Sequence, residues 1–280
     1  MRVLVIAEIG VNHDGSLDKA KRLVDAARAA GADAVKFQFF SSHKLWRDDR
    51  IKHLELRFSE FVLLHAHCQQ AGIEFMCTPF GVEEVILLRQ YLKRWKIASG
   101  CIRRTAILEA VRDTKMPVIL STGMSTMDDI RAAQSDLRYR DEYGSPDTTL
   151  LHCTSVYPCA VEDANLKAIH TLRWYFGHAE GQGLNGGPCK VGYSDHTLGI
   201  TVAIAATGMG AQVIEKHLTL DRTATGPDHK ASIEPEEFRV MVSAIRTVEQ
   251  AMGDGSKSPR PCEEELRKAW REPAKTDRSA

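Results

Sequence analysis

The chain has 280 residues, 43% of them hydrophobic, and its 37 basic side chains balance 37 acidic ones. That size and apolar content suit one large α/β domain, and the balanced charge argues against nucleic-acid or membrane-surface attraction as its main business. No apolar run approaches a membrane span, and seven scattered cysteines without a CxxC pair argue against a disulfide framework or a structural zinc site, which suits a cytoplasmic protein with reduced thiols.

The opening MRVLVIAEIG looks like a secretory apolar core for six residues, then reaches Glu8 and lacks a small-residue cleavage pattern, so Val3–Ile9 reads as a buried first strand. Gly10–Gly15 is a polar turn. Ser16 or Asp18 caps a helix over Leu17–Ala30, whose Leu17, Ala20, Leu23, Val24 and Ala27 fall at helical spacing, and Gly31 ends it. Strand Ala34–Phe40, polar loop Ser41–Arg57 and amphipathic helix Phe58–Ala71 follow.

The alternation then repeats: strand Ile73–Cys77 with helix Val82–Leu92, strand Trp95–Ala98 with helix Thr105–Asp113, and strand Pro117–Leu120 with helix Thr126–Leu137. Strand Thr148–Cys153 precedes helix Ala164–Tyr175, and the Gly-rich Gly177–Pro188 reads as a flexible loop on the amino-terminal face of the sheet. Two last strands end at Ser194-Asp195-His196-Thr197 and Glu215-Lys216-His217, flanking a small-residue helix within Leu198–Gly210. Pro235–Met252 is a long closing helix.

Eight strand–helix units in about 250 residues predict an α/β fold of the (β/α)8 TIM-barrel type over residues 1–260, with 261–280 as a carboxyl-terminal helix and tail. An open doubly wound sheet would need a Gly-rich phosphate fingerprint after the first strand, and GxGxxG is absent there.

Catalysis in such barrels sits at the carboxyl ends of the strands. Those ends are polar throughout: Glu8, Lys36 with Gln38, Thr78, Lys96 with Ser99, Ser121, Ser155 with Tyr157, Ser194 with His196, and His217. Two lysines inside a barrel mouth are costly to bury without an anionic partner, and among so many hydroxyls they suit a phosphate plus a carboxylate. A single histidine on an apolar strand is more often a satisfied core residue. Two at adjacent strand ends, with Glu8 and Asp228 near, point to a divalent ion of the Mn, Fe, Co or Zn type rather than Ca. His13 and His152 are weaker ligand candidates, and His229 is a candidate substrate contact.

The chain resembles the sialic acid synthase family. The resemblance rests on IAEIG at Ile6–Gly10 with Asn12-His13, VKFQ at Val35–Gln38, TPF at Thr78–Phe80 and KIASG at Lys96–Gly100. STGM at Ser121–Met124, HCTSVYP at His152–Pro158, YSDHTLG, VIEKH, GPDHKAS and GDGSKSP follow in family order along nearly the whole chain. It implies condensation of phosphoenolpyruvate (PEP) with an aldose to a 2-keto-3-deoxy sugar acid, in a cytoplasmic homodimer. His196 and His217 would hold a divalent metal, manganese above all, with magnesium or cobalt as substitutes. Lys36, Thr78, Lys96, Ser99, Ser121, Ser155 and Ser194 would bind PEP. Glu8, Gln38, Tyr157 and Asp228 would face the acceptor, with Glu8 the first choice for proton transfer and Asp228 the second.

Three departures gather on the acceptor side. The loop after the second strand is short, Cys101 stands where the family has an acceptor-binding Glu, and the sequence stops where an antifreeze-like domain would follow. An acceptor other than N-acetylmannosamine is therefore expected. The rival readings are a metal-dependent barrel aldolase or lyase acting on a sugar phosphate, and a non-catalytic binding remnant.

Overall fold

The computed structural model describes residues 2–41, 49–138, 147–177 and 189–271. Each strand predicted from the sequence forms: β1 (Leu4–Gly10), β2 (Ala34–Phe39), β3 (Glu74–Pro79), β4 (Trp95–Ile97), β5 (Val118–Ser121), β6 (Thr148–His152), β7 (Lys190–Asp195) and β8 (Val213–His217). The pairings are parallel, in the order β3-β2-β1-β8-β7-β6-β5-β4, and β3 also lies against β4, so the eight strands form a nearly closed TIM barrel. The helices are α1 (Leu17–Ala29), α2 (Phe58–Ala71), α3 (Val82–Leu88), α4 (Thr105–Arg112), α5 (Met127–Leu137), α6 (Ala168–Phe176), α7 (Thr201–Gly208), α8 (Pro235–Met252) and α9 (Glu264–Arg271). Among the described residues, no helix is long and apolar enough to cross a membrane, and the seven cysteines are free thiols.

Side chains alternate across each strand. One set, including Val5, Ala7, Ile9, Val35 and Phe37, packs outward against the helices in the main core. The other set points into the barrel, where Ile6, Ala34, Met76, Ile119, Leu151 and Val213 form a separate apolar cluster. Two residues further along the same strands, the inward positions become Glu8, Lys36, Thr78, Ser121 and Glu215. A dry plug therefore underlies a polar floor.

The outward face holds a buried ion pair. Lys216 Nζ lies 2.8 Å from Asp195 Oδ2, and both side chains are 0% exposed. Asp195 Oδ1 also accepts from the backbone N–H and the hydroxyl of Thr197, and Lys216 donates to Thr197 O. The pair thus shapes the turn that carries His196. Asp195→Ala leaves the ammonium buried and unpaired, a loss of about 3–5 kcal/mol. Chemical denaturation should record it, and unchanged stability would contradict the pairing.

Helix α1 starts at Leu17 as expected, capped by Ser16, one of the two expected caps, whose side chain accepts from Lys19 N–H. Two helices depart further from their predicted limits. Helix α3 stops at Leu88 instead of Leu92, as the Tyr91 N–H turns back to Leu88 O. Helix α6 starts at Ala168 instead of Ala164, because Asn165 takes a left-handed φ of 42° after a 3-10 turn over Val161–Asp163. The loop after β2 contains a 3-10 turn, Asp49–Leu54, and delivers Leu54 and Leu56 as buried side chains. Residues 42–48 of that loop, 178–188 of the Gly-rich insert and the tail 272–280 lie outside the described residues.

Candidate active site

A cavity of about 490 Å³ opens at the carboxyl ends of the strands. On its floor stand two lysines and two glutamates, all nearly inaccessible. Lys36 Nζ is 2.5 Å from Glu8 Oε2 and 3.7 Å from Glu215 Oε2, and it donates to Thr78 Oγ1 at 3.1 Å. Lys96 Nζ is 3.5 Å from Glu215 Oε1 and donates to Ser121 Oγ at 2.7 Å. Ser194 Oγ donates to Glu215 Oε1 at 2.9 Å, and Gln38 Nε2 donates to Glu8 Oε1 at 2.9 Å. Burial of the lysines is thus compensated within the protein.

The two carboxylates sit in different fields. Burial pushes Glu215 up, but the ammonium groups of Lys36 and Lys96 and the Ser194 hydroxyl outweigh it and hold the carboxyl at about 2. For Glu8, burial prevails over the attraction of Lys36, and the neighbouring Glu215 charge adds to the rise. Burial likewise lowers Lys96, with Glu215 resisting. Lys36, with two carboxylates beside it, is held above its ordinary range despite burial. Glu215 is the fixed negative charge, and Glu8 is the carboxyl that more readily carries a proton.

Beside the floor lies a serine pocket. Ser99 Oγ accepts from Gly123 N–H at 3.0 Å and meets Cys153 Sγ at 3.3 Å. Ser155 Oγ is buried with no hydrogen-bond partner. A Cβ on Gly123 would stand 2.2 Å from that hydroxyl, so a side chain there would fill the pocket. An orphaned hydroxyl facing a cavity is ready to receive a ligand's polar group.

Nearer the mouth, the His196 and His217 rings lie 5.7 Å apart, centroid to centroid, and the Tyr157 ring is 4.1 Å from the first and 5.7 Å from the second. His196 Nδ1–H donates to Thr154 O at 2.6 Å, which leaves Nε2 as the acceptor nitrogen, 3.4 Å from Ser194 Oγ. His217 Nδ1 has no hydrogen-bond partner and sits 3.7 Å from Asp228 Oδ2. Burial lowers both imidazoles, His217 to about 4 despite Asp228, so both are neutral bases near pH 7. Among the described residues no three His, Cys, Asp or Glu side chains gather closely enough to enclose a metal ion. Two neutral imidazoles, one with an orphaned nitrogen and a carboxylate close by, fit an open site in which substrate or water completes the shell.

Most of the predicted site residues line this one cavity: Glu8, Lys36, Gln38, Thr78, Lys96, Ser99, Ser121, Ser155, Tyr157, Ser194, His196, His217 and Asp228. Cys101 does not. The 3-10 turn Ser99–Cys101 presents Ser99 and Gly100 to the cavity and sends the Cys101 thiol into the main core, where burial raises its pKa. His229 is no substrate contact either, being fully buried between Thr219 Oγ1 and Asp14 Oδ1. His152 Nε2 bonds Ala164 O.

His13 is a satisfied core histidine whose Nδ1 accepts from Gly15 N–H at 3.0 Å. Burial lowers it from 6.5 to about 4. The stability contributed by its neutral form is complete above about pH 6.5 and is lost as pH falls towards about 4. A His13→Gln variant should show a flatter loss of Tm between those limits than the parent. Parallel curves would contradict the assignment.

Sequence reasoning missed two features. One is Glu215, although its alternation with His217 along β8 put both on the inner face. The other is the apolar wall of the cavity, made by Phe40, Ile51, Leu54 and Phe80.

Comparison with known proteins places the chain. The sequence profile of the NeuB family matches residues 23–257. The N,N'-diacetyllegionaminic acid synthase of Legionella pneumophila is 41% identical over 280 residues, covering 92% of this chain and 76% of that protein. The N-acetylneuraminate-9-phosphate synthase of Mus musculus is 33% identical, covering 92% of this chain and 74% of that protein. The crystal structure of the N-acetylneuraminic acid (sialic acid) synthetase from Leptospira borgpetersenii, in complex with citrate, superposes with a TM-score of 0.87 at 36% identity, covering 96% of this chain and 91% of that one.

Proposed function

The chain belongs to the NeuB family, and we propose that it condenses phosphoenolpyruvate with an aldose to give a 2-keto-3-deoxy sugar acid and inorganic phosphate. The observation that carries this reading is the buried Lys36–Glu215–Lys96 set, ringed by hydroxyls and opening onto the imidazole pair. Lys36 and Lys96 neutralise the carboxylate and phosphate of PEP, and Thr78, Ser99, Ser121, Ser155 and Ser194 orient them.

Carbon 3 of PEP attacks the aldehyde carbon, and positive charge develops at carbon 2. Water adds to carbon 2, and phosphate leaves from the resulting tetrahedral centre. A divalent ion held by His196 and His217, manganese for preference, supplies Lewis-acid polarisation of the aldehyde when bound. Glu8 takes the proton that the attacking water loses and passes it to the former aldehyde oxygen, which becomes a hydroxyl, a role for which its raised pKa suits it. Asp228 and Gln38 orient acceptor hydroxyls, and Tyr157 covers the imidazoles.

The acceptor differs from N-acetylmannosamine, since the position of Cys101 offers the cavity no polar side chain. The enzyme works as a cytoplasmic homodimer. Incubation with PEP, Mn²⁺ and a panel of aldoses, following phosphate release and product mass, tests the reading. A three-carbon extension of one aldose with one phosphate released is expected. Tight PEP binding without phosphate release from any aldose would overturn it.

A further inference from the structure

We propose that Asn12 is a positioning residue: it clasps the loop after β1 to the loop after β8 and thereby sets Asp228 against His217. The inference rests on the reading of the cavity as a metal-assisted condensation site. Asn12 is buried, and its Nδ2 spends both protons across the two loops, on Leu218 O at 2.9 Å and on Ser232 Oγ at 2.8 Å. Ser232 Oγ passes its own proton to the backbone carbonyl of Asp228 at 2.7 Å. One amide therefore grips the residue that follows His217 and, through one hydroxyl, the backbone of the carboxylate facing that histidine.

The chemistry admits no simple substitute. Both partners of Nδ2 need a donor: Leu218 O is a carbonyl, and the Ser232 proton is already committed. An aspartate would present only acceptors to them. Meanwhile Asn12 Oδ1 is buried with no partner, a cost that a residue kept for stability alone would not carry. Asp228 also has little freedom on its inner side. Gly10, at φ 54°, lies directly beneath it, and a Cβ there would come within 2.8 Å of Asp228 Oδ2. The buried His229, bonded to Thr219 and Asp14, ties the same two loops a second time further from the cavity. The clasp thus fixes the 3.7 Å approach of Asp228 Oδ2 to His217 Nδ1.

The test compares Asn12→Asp, Ser232→Ala and Ser232→Thr with the parent by calorimetric titration of Mn²⁺ and, separately, of PEP, with Tm and circular dichroism as checks of folding. In Asn12→Asp and Ser232→Ala the Mn²⁺ Kd should rise by about 10- to 100-fold, the range for lost outer-shell support. The PEP Kd should stay within about twofold, because no lysine or serine of the floor bonds to the clasp. Ser232→Thr, which keeps the hydroxyl, should retain Mn²⁺ affinity. If Asn12→Asp fails to fold, the serine pair decides.

Unchanged Mn²⁺ affinity in a folded Ser232→Ala, or parallel loss of PEP and Mn²⁺ affinity, overturns the clasp. So does a parent protein without measurable Mn²⁺ affinity. Neither titration needs turnover. A parent that binds both ligands yet joins no aldose to PEP sinks the proposed reaction and leaves the clasp to be judged on binding alone.

Discussion

His217→Ala is expected to abolish phosphate release. His217 is one of two neutral imidazoles at the mouth, buried and without a partner for Nδ1. Its removal halves the protein's imidazole donors for a divalent ion, whose polarisation of the aldehyde is worth several kcal/mol. That corresponds to a loss of about 10²- to 10⁴-fold in kcat, at roughly tenfold for each 1.4 kcal/mol. Chelation of the parent should produce the same loss, and the two effects should not multiply. PEP affinity should persist, since Lys36, Lys96 and their hydroxyls form a separate set on the floor. A His217→Ala protein that keeps full activity would remove the metal assignment altogether.

The second large effect is expected at Glu215. Its carboxylate lies between both lysines, 3.7 Å from Lys36 and 3.5 Å from Lys96. Glu215→Ala leaves two buried ammonium groups with only Glu8 to share. Breaking a buried ion set in this way costs about 3–5 kcal/mol. Lys36 keeps Glu8 at 2.5 Å, so the loss falls mainly on Lys96, whose charged form burial already disfavours.

Two results follow. The Tm of the unliganded variant should drop by several degrees, and inorganic phosphate should raise it by more than it raises the parent, because an anion then replaces the missing charge. At neutral pH, kcat/KM for PEP should fall, because the buried ammonium of Lys96 has lost the carboxylate that favours its charged form. A variant with the parent's Tm and the parent's response to phosphate would show that the lysines do not depend on Glu215.

The barrel was legible because short apolar runs, helical spacing and turn residues recur eight times, and each signal is local. The imidazole pair was legible for a related reason: one strand–helix–strand unit brings the ends of β7 and β8 together. Glu215 was hidden because its meaning comes from partners on β2 and β4, distant in sequence. Cys101 misled because a single 3-10 turn decides which side of β4's end its thiol faces. The late start of α6 followed from one left-handed residue, Asn165, which helical spacing does not report. Local pattern thus revealed the framework and the strand ends, whereas side-chain direction after a strand and charge pairing across the barrel required the fold.

The apolar plug beneath the polar floor imposes an order of events. Among the described residues, Ile6, Met76, Ile119 and Leu151 close the barrel below, and the cavity opens at the carboxyl ends of the strands, the way by which the reactants enter. The groups suited to PEP line the far end, while Tyr157, 45% exposed, stands at the threshold beside the imidazoles. An aldose seated there closes the route behind it. PEP must therefore arrive first and the sugar acid must leave before the floor is vacated. Steady-state inhibition should then be ordered, with an inert aldose analogue uncompetitive against PEP. A competitive pattern would mean a second way in.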